Sequence, residues 1–407
     1  MPGGEVAASM ASLPLRFRAD AADGIKCRFR VKADRTVRDV VIDGASCRVE
    51  SAHGRADSEI CTDATTWLAM EAGRVSGMEA FAAGRLVVRG SIQSALLFEP
   101  LFERPDMGAL QHSVERVKVG RLRISTLVTG PKNGDPLILI HGLGATKASW
   151  LTIVPQLATR FRIYAIDLPG FGSSSKPMGR YDARWFARHV FDLMDALGLK
   201  TSRLAGNSMG GRIVQEMAMM DPKRIPALAC LCPATAFSER PGLWLAKSLR
   251  PELGVAARYM PRARVLSSMR DMFAAESKVD SAWYEAACDD FLRTWRRPRA
   301  RMAFFAAARQ IYLEEPHGEK GFWARLEAMQ PPALYIYGKH DPLISADFGE
   351  SVERFLPSAK VEVWEDCGHV PQVEYPERTA ARLIDFFETA TAASSRKRPP
   401  ARRSAAR

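Results

Sequence analysis

The 407-residue sequence lacks any apolar run approaching the ~20 residues that would cross a bilayer. Its first residues also lack the basic start and long apolar core of a secretory signal, so we expect none. Seven cysteines, an odd number, show neither the spacing of a disulfide framework nor that of a zinc site. These absences favour a protein of the reducing cytoplasm.

Two further signatures are missing. The sequence has no H-E-x-x-H metal spacing and no G-x-G-x-x-G dinucleotide fingerprint after a strand, so we predict neither a metal nor a cofactor. The net charge of +12 is concentrated at the C-terminus, where residues 396–407 carry six cations. We therefore expect no nucleic-acid partner. Residues 392–407 are predicted to be a disordered basic tail, which could add weak association with an anionic membrane surface. The oligomeric state stays open.

Residues 15–105 form a segment of their own. Strand-like alternation over residues 25–31 and 37–42 is combined with a helical pattern over residues 63–72. This combination predicts a small α+β domain. Residues 103–112 are polar and contain both proline and glycine, as expected of a linker.

From residue 114 to residue 391, apolar strand patterns alternate with helical patterns. Several strands are continuously apolar, which is typical of a mostly parallel sheet covered on both faces. We predict strands at residues 117–119, 122–128, 137–140, 163–166, 202–205, 227–231, 333–337 and 361–363. Helices are predicted at residues 149–159, 183–197, 210–220, 346–355 and 376–389.

About a hundred residues separate two of these strands, too many for a structureless loop. Helical patterns within them predict a helical cap over residues 235–330. The cap would be inserted between core segments at residues 114–234 and 331–391. The helical patterns lie at residues 243–249, 264–275 and 301–313.

The pentapeptide Gly206-Asn207-Ser208-Met209-Gly210 fits the pattern G-x-S-x-G, directly after an apolar strand and before a helix. A serine at the tip of so tight a turn needs glycines on both sides, because larger side chains would collide. The helix that follows would direct its positive end toward a developing oxyanion. The pattern therefore predicts a nucleophilic serine.

Two other strand ends carry the groups that such a serine needs. Asp341 follows the strand predicted at residues 333–337, and His369 follows the last predicted strand. A serine hydroxyl is a poor nucleophile near neutral pH, so a histidine must take its proton. A carboxylate then fixes the tautomer of that histidine. The sequence predicts a triad of Ser208, His369 as base and Asp341 as orienting acid.

With these motifs, residues 114–390 resemble the α/β-hydrolase fold family, in which serine, acid and histidine follow in that order. The stretch His141-Gly142-Leu143-Gly144, after a predicted strand, completes the resemblance. It implies an oxyanion hole formed by the backbone N–H groups of Leu143 and Met209. His141 and Gly142 would form the supporting loop, with His141 as a hydrogen-bonding residue rather than the base.

Residues 20–103 are similar to the sterol carrier protein 2 domain. The similarity rests on the helical pattern with Trp67, on the strand at residues 84–90 and on Ala95-Leu96-Leu97-Phe98. That family binds acyl chains and sterols in an apolar tunnel. The opening helix of that domain is not recognisable here. The alternative is a small domain that only packs against its neighbour.

The hydrolase resemblance implies a serine esterase or lipase-like enzyme. Epoxide hydrolases and haloalkane dehalogenases of that family carry aspartate where Ser208 stands, which argues against both activities. We expect cleavage of carboxylic esters of hydrophobic acyl substrates through an acyl-enzyme. Two alternatives stay open: a carbon–carbon bond hydrolase with the same triad, and a non-catalytic lipid-binding protein. Aromatic residues of the cap could line an acyl pocket: Trp244, Phe273, Trp283, Phe291, Trp295, Phe304 and Phe305.

Overall fold

A computed structural model describes residues 2–22, 24–235, 248–274 and 279–396. Within these ranges, the strands form a five-stranded sheet near the N-terminus and an eight-stranded sheet in the rest of the chain. In chain order, the strands are β1 Lys26–Ala33, β2 Thr36–Asp43, β3 Ser46–Ser51, β4 Ser58–Thr62, β5 Leu86–Gly90, β6 His112–Val119, β7 Leu122–Thr129, β8 Asp135–Ile140, β9 Phe161–Ile166, β10 Arg203–Asn207, β11 Leu228–Leu231, β12 Ala333–Gly338 and β13 Lys360–Trp364.

The helices of the described ranges cover both sheets. In chain order, they are α1 Pro2–Ala11, α2 Ala64–Glu71, α3 Gly77–Ala82, α4 Ile92–Phe98, α5 Val154–Leu157, α6 Ala183–Ala196, α7 Met209–Met220, α8 Leu253–Ala256, α9 Arg262–Arg270, α10 Ser281–Trp295, α11 Pro298–Leu313, α12 Phe322–Glu327, α13 Phe348–Phe355, α14 Pro371–Glu374 and α15 Pro376–Arg396.

The five-stranded sheet has the order β3-β2-β1-β4-β5, and β1 and β4 run parallel in it. Its helices bury Trp67 against Phe98, which also packs on Phe29 of β1. The predicted small α+β domain is thus confirmed. Helix α1 lies outside the predicted boundary at residue 15, yet it buries Val6 and Met10 in the same core. The sequence hid α1 because glycines with low helix propensity follow Pro2.

The eight-stranded sheet has the order β13-β12-β11-β10-β8-β9-β7-β6. Strands β8 to β13 pair in parallel, and β7 pairs antiparallel with β9 and β6. Every residue of β10, β11 and β12 is buried, which explains why β11 and β12 are continuously apolar, and Arg203 and Asn207 are the polar residues of β10. The predicted mostly parallel α/β-hydrolase sheet is confirmed, and helices α8 to α12 lie in the predicted cap.

Two predicted elements need correction. The single helix predicted at residues 149–159 is wrong: a 3₁₀ turn at Lys147–Trp150 is followed by the short α5, which has Pro155 in its first turn. The tail predicted from residue 392 is helical as far as Arg396, because α15 continues to that point. The rest of the predicted tail and most of the helix predicted at residues 243–249 lie outside the described residues.

The cap also rests on the N-terminal sheet. The Asp289 carboxylate of α10 accepts a hydrogen bond from Gly90 N–H at the end of β5 (3.1 Å). Arg293, one turn further along α10, donates to the carbonyl of Asp57 (2.8 Å). Helix α10 therefore connects the N-terminal domain to the cap.

Three parts of the chain meet at Lys147, whose side chain is completely buried. Its ammonium donates to Asp167 Oδ2 (2.8 Å) and Ser125 Oγ (3.1 Å) of the core, and to the side-chain oxygen of Gln93 in the N-terminal domain. Asp290 of α10 interacts electrostatically with Lys147 and Asp167. Neither carboxylate oxygen of Asp290 has a hydrogen-bond partner among the described residues. One buried cation thus faces two buried carboxylates.

Removing the charge of Asp290 is expected to change how stability depends on pH. Burial, and then the Asp167 carboxylate, raises the pKa of Asp290 to about 7 from an ordinary value of 3.8. The folded protein therefore keeps a proton that the unfolded chain releases, and the free energy of unfolding falls as pH rises from about 4 to about 7. Asp290→Asn should remove this contribution to the pH dependence of the unfolding free energy, and the variant should be more stable than wild type at pH 8.

Urea denaturation at pH 4, 6 and 8 measures this effect. Asp192→Asn, which changes an exposed carboxylate, is the matched control. An Asp290→Asn protein with the same pH slope as wild type and this control would contradict the prediction.

Candidate active site

Ser208 occupies a strained turn between β10 and α7. Its backbone has φ 55° and ψ −118°, a region that residues with a Cβ rarely adopt. Its amide donates to Leu231 O (2.9 Å), and its carbonyl accepts from Ala234 N–H (3.0 Å). The neighbouring strand β11 and the loop after it therefore hold the turn in place.

The flanking glycines allow this turn to form. A Cβ on Gly206 would overlap the backbone of Gly210, and a Cβ on Gly210 would overlap the carbonyl of Ile140. The spacing G-x-S-x-G is therefore a packing requirement of the strand–turn–helix unit.

His369 and Asp341 form a close pair at the ends of adjacent strands. His369 Nδ1 lies 2.6 Å from Asp341 Oδ2. The other oxygen of Asp341 accepts from the N–H groups of Leu343 (2.7 Å) and Ile344 (2.9 Å), which fix the carboxylate. Because Nδ1 is occupied by the carboxylate, Nε2 is the nitrogen left to accept a proton.

Asn207, the residue before Ser208, joins the serine turn to the histidine loop. Its side-chain amide donates to the carbonyl of His369 (3.0 Å) and to that of Leu231 (3.1 Å). Sequence reasoning gave Asn207 no role, although it lies within the serine motif. The two hydrogen bonds fix the position of the histidine backbone relative to the residue beside Ser208.

The loop after β8 passes directly beside the serine. A Cβ on Gly142 would lie 3.2 Å from Ser208 Cβ. His141 is fully buried, and burial lowers its pKa below the ordinary value. Its Nε2 accepts from Leu168 N–H (3.1 Å), so the proton is on Nδ1, which donates to Gly142 O (2.7 Å). Leu143 follows in this loop, and Met209 is the first residue of α7.

Cys232 lies beside Asp341 and His369. Its Sγ, a carboxylate oxygen of Asp341 and a ring nitrogen of His369 lie within 4.8 Å of one another. Among the described residues, this is the one group with a spacing that could hold a metal ion. Burial, and then the Asp341 carboxylate, raises the pKa of the Cys232 thiol well above its ordinary value. The thiol is therefore protonated, and it lies near the carbonyl of Gly368 (3.5 Å).

Cap residues reach both sides of this site. A Cβ on Gly144 would lie 3.0 Å from the ring of Phe304 and 3.2 Å from that of Phe291, so α10 and α11 cover the loop after β8. On the other side, His369 N–H donates to Met272 O (2.7 Å).

The cap aromatic residues divide into two groups. Trp295 packs on Phe291, Phe304 and Phe305, and Phe304 also packs on Phe291 and Phe305. Phe273 and Trp283 pack together, in a cluster that includes Val370 next to His369. Trp244 lies outside the described residues. The first group adjoins the loop after β8, and the second adjoins the histidine loop.

Two cavities lie in the described part of the N-terminal domain, of which the larger, about 500 Å³, has a lining that includes Arg18, Glu99 and Arg104. The smaller cavity, of about 50 Å³, lies between β4, β5 and helices α2 to α4, and its lining is almost entirely apolar. Ligand pockets usually occupy about 300–1,000 Å³.

None of the helices in the described part of the chain is both long and apolar enough to cross a membrane.

Residues 135–376 match the model of the α/β hydrolase fold family, and the chain belongs to this family. Residues 17–103 match the model of the SCP-2 sterol transfer family. Both resemblances seen in the sequence are thereby confirmed.

Relatives of the chain have several activities. It is 30% identical over 274 residues to the dihydrolipoyllysine-residue acetyltransferase component of the acetoin cleaving system of Pseudomonas putida, covering 67% of this chain and 69% of that protein. It is 28% identical to a 2-hydroxymuconate semialdehyde hydrolase of Pseudomonas sp. strain CF600, covering 64% and 89%. It is 25% identical to a carboxylesterase of Bacillus subtilis strain 168, covering 64% and 83%.

A solved structure, that of a membrane phospholipase A, is also similar. The identity is 27% and the TM-score 0.55, covering 69% of this chain and 87% of that one. Family membership therefore defines a hydrolase fold without selecting one substrate.

Proposed function

We propose that the chain is a serine hydrolase that cleaves carboxylic esters of hydrophobic acyl substrates through an acyl-enzyme on Ser208. The observation that carries this proposal is the 2.6 Å contact of His369 Nδ1 with Asp341 Oδ2, in a loop tied to the residue before Ser208. The carboxylesterase among the relatives supports it. The seven free cysteines support the predicted cytoplasmic location.

The proposed reaction has two halves. His369 Nε2 takes the proton of the Ser208 hydroxyl as its oxygen attacks the ester carbonyl, and the backbone N–H groups of Leu143 and Met209 stabilise the oxyanion. The histidine then gives this proton to the departing alcohol, which leaves an acyl-serine. Water attacks the acyl-serine, again with His369 as base, and releases the acid. Asp341 stays ionised and stabilises the imidazolium.

A fluorophosphonate probe tests this proposal. The probe is expected to label wild type covalently but not folded Ser208→Ala, since only an activated serine attacks phosphorus. His340→Ala changes an exposed histidine next to Asp341 and should label like wild type. An unlabelled wild type would favour the remaining alternative, a non-catalytic lipid-binding protein.

A second candidate is a carbon–carbon bond hydrolase that uses the same triad, which the semialdehyde hydrolase relative favours. Turnover of 4-nitrophenyl esters of graded chain length is compared with turnover of a vinylogous 1,5-diketone acid. A kcat/KM higher for the diketone than for every ester would favour the second candidate.

We also propose that the cap sets acyl-chain preference. Phe291 and Phe304 contact the loop beside Ser208, so replacing either ring with leucine should open space there. Phe304→Leu is expected to raise the kcat/KM ratio of octanoate to butyrate esters by about tenfold. This is the lower end of the change in kcat/KM that one methylene group causes in a hydrophobic pocket. Tyr259→Leu, which changes an exposed cap residue, is the control. Unchanged ratios in both Phe291→Leu and Phe304→Leu would contradict the prediction.

Lipid binding by the N-terminal domain is a separate proposal that the family match supports. The apolar cavity of about 50 Å³ is smaller than an ordinary ligand pocket, so a sterol or acyl chain would enter this cavity only with movement of the side chains that line it.

A further inference from the structure

A cleft of about 500 Å³ lies beside the serine turn, between α6, α7 and the C-terminal end of α11. It starts at Met209, the residue after Ser208, and follows α7 as far as Glu216. Met209 and Glu216 are seven positions apart on the helix, which corresponds to about 10 Å along the cleft. The volume of the cleft is typical of a small-molecule site. The apolar side chains along it include Met209, Ile213, Trp185 and Ile311.

Exposed cations surround the mouth of this cleft. They are Arg180, Arg184, Arg188 and Lys320. The carboxylate at the same rim, Asp182, pairs with Arg180 at 2.9 Å. In the described part of the chain, no carboxylate forms an ion pair with Arg184, Arg188 or Lys320. The rim therefore carries a local excess of positive charge.

The interior of the cleft has balanced charge and two buried donors without a hydrogen-bond partner among the described residues, Nη1 of Arg212 and Nε of Arg325. Arg212 is only 2% exposed and donates from Nε to Glu314 (2.6 Å) and from Nη2 to Glu216 (2.6 Å). Arg325 donates to the same Glu216 carboxylate (2.8 Å). Such unsatisfied donors in a native protein need an explanation, and a ligand supplies one.

We propose that the cleft binds an anionic group of the substrate, a carboxylate or a phosphate, several carbon atoms from the ester that Ser208 attacks. Arg184, Arg188 and Lys320 attract this group, and guanidinium donors match the geometry of either anion. The apolar side chains beside Met209 contact the carbon chain between the two ends. This inference rests on the proposed function, because it names the substrate class of that site.

Two matched esters test the inference. In 4-nitrophenyl hexanoate and mono-4-nitrophenyl adipate the acyl chains are equally long, but only the second ends in a carboxylate. The ratio of kcat/KM, adipate over hexanoate, is measured for wild type, for Arg184→Gln/Arg188→Gln and for Arg55→Gln/Arg85→Gln. The last variant removes two exposed arginines of the N-terminal domain as a charge-matched control.

The ratio is expected to fall at least about tenfold in Arg184→Gln/Arg188→Gln and to stay at the wild-type value in the control, since a tenfold change is well above the effect of a distant surface charge. Raising the ionic strength from 0.05 to 0.5 M should lower the ratio in wild type and in the control. An equal ratio in all three proteins, or an equal loss on both esters, would overturn the proposal.

A binding experiment separates this inference from the proposed function. Adipate and inorganic phosphate are titrated calorimetrically into Ser208→Ala, with and without Arg184→Gln/Arg188→Gln. Binding of either anion to Ser208→Ala that is lost when Arg184→Gln/Arg188→Gln is added supports the anion site. This holds even if wild type hydrolyses neither ester and the proposed function fails. Tighter binding of phosphate or of adipate tells which anion the site prefers. No binding, or equal binding to both proteins, overturns the inference.

Discussion

Replacing Ser208 with alanine is expected to lower kcat for 4-nitrophenyl butyrate by about 10⁴- to 10⁶-fold. In the proposed mechanism this variant has no nucleophile, and a residual rate would come from binding and from the backbone N–H groups of Leu143 and Met209. His369→Ala should lose a comparable factor, because the serine then keeps its proton near neutral pH. Steady-state kinetics with purified protein, together with circular dichroism to establish folding, measure the loss.

Changing Asp341 should cost less. Asp341→Asn leaves the nucleophile and base in place but mis-sets the histidine tautomer, and the expected loss is about 10⁴-fold. His340→Ala, one residue away and exposed, should turn over the ester like wild type. A folded Ser208→Ala protein with turnover near the wild-type value would sink the assignment of the whole triad.

The largest stability effect is expected at Lys147. Lys147→Met removes the buried cation that faces the Asp167 and Asp290 carboxylates. Burial works to raise the pKa of Asp167, but the Lys147 ammonium, together with His141 and the N–H of Ser173, holds that pKa below its ordinary value. Breaking a buried ion pair from one side typically costs about 3–5 kcal/mol, because it leaves an uncompensated charge. Urea denaturation at pH 7 measures the difference in the free energy of unfolding.

An exposed lysine provides the control for this measurement. Lys132→Met makes the same chemical change at the surface and should alter the free energy of unfolding by no more than about 0.5 kcal/mol. Acidification should reduce the difference in unfolding free energy between the two variants, since Asp167 can then take up a proton. Equal unfolding free energies for Lys147→Met and Lys132→Met at pH 7 would refute a stabilising role for the buried ion pair.

The local motifs could be read from the sequence because each depends on neighbours in the chain. The glycines around Ser208 are required by one strand–turn–helix unit, and their spacing is visible without a structure. Asp341 and His369 could be found because both follow strands of a parallel sheet, whose carboxyl ends lie on one edge. The apolar strands of that sheet predicted its class for the same local reason.

Features that depend on distant parts of the chain were not predictable. Helix α10 packs on both the core and the N-terminal sheet, so its pattern includes the buried Asp290 where a one-sided helix would have an apolar residue. Cys232 gains its neighbours only when β11 and β12 align. The Arg212 network joins α7 to residues more than a hundred positions away. No spacing rule connects such pairs.

The backbone of Ser208 has a positive φ, and this conformation lowers the stability of the folded chain. A residue with a Cβ at a φ of 55° costs about 1–3 kcal/mol relative to relaxed backbone. Glycine, which adopts positive φ freely, would suit the turn better but carries no hydroxyl. Stability alone would therefore favour glycine at this position, whereas the proposed nucleophile requires serine. The surrounding hydrogen bonds and close-packed glycines keep the strained serine in place, so under the proposed function the hydroxyl is retained at a cost in the stability of this turn.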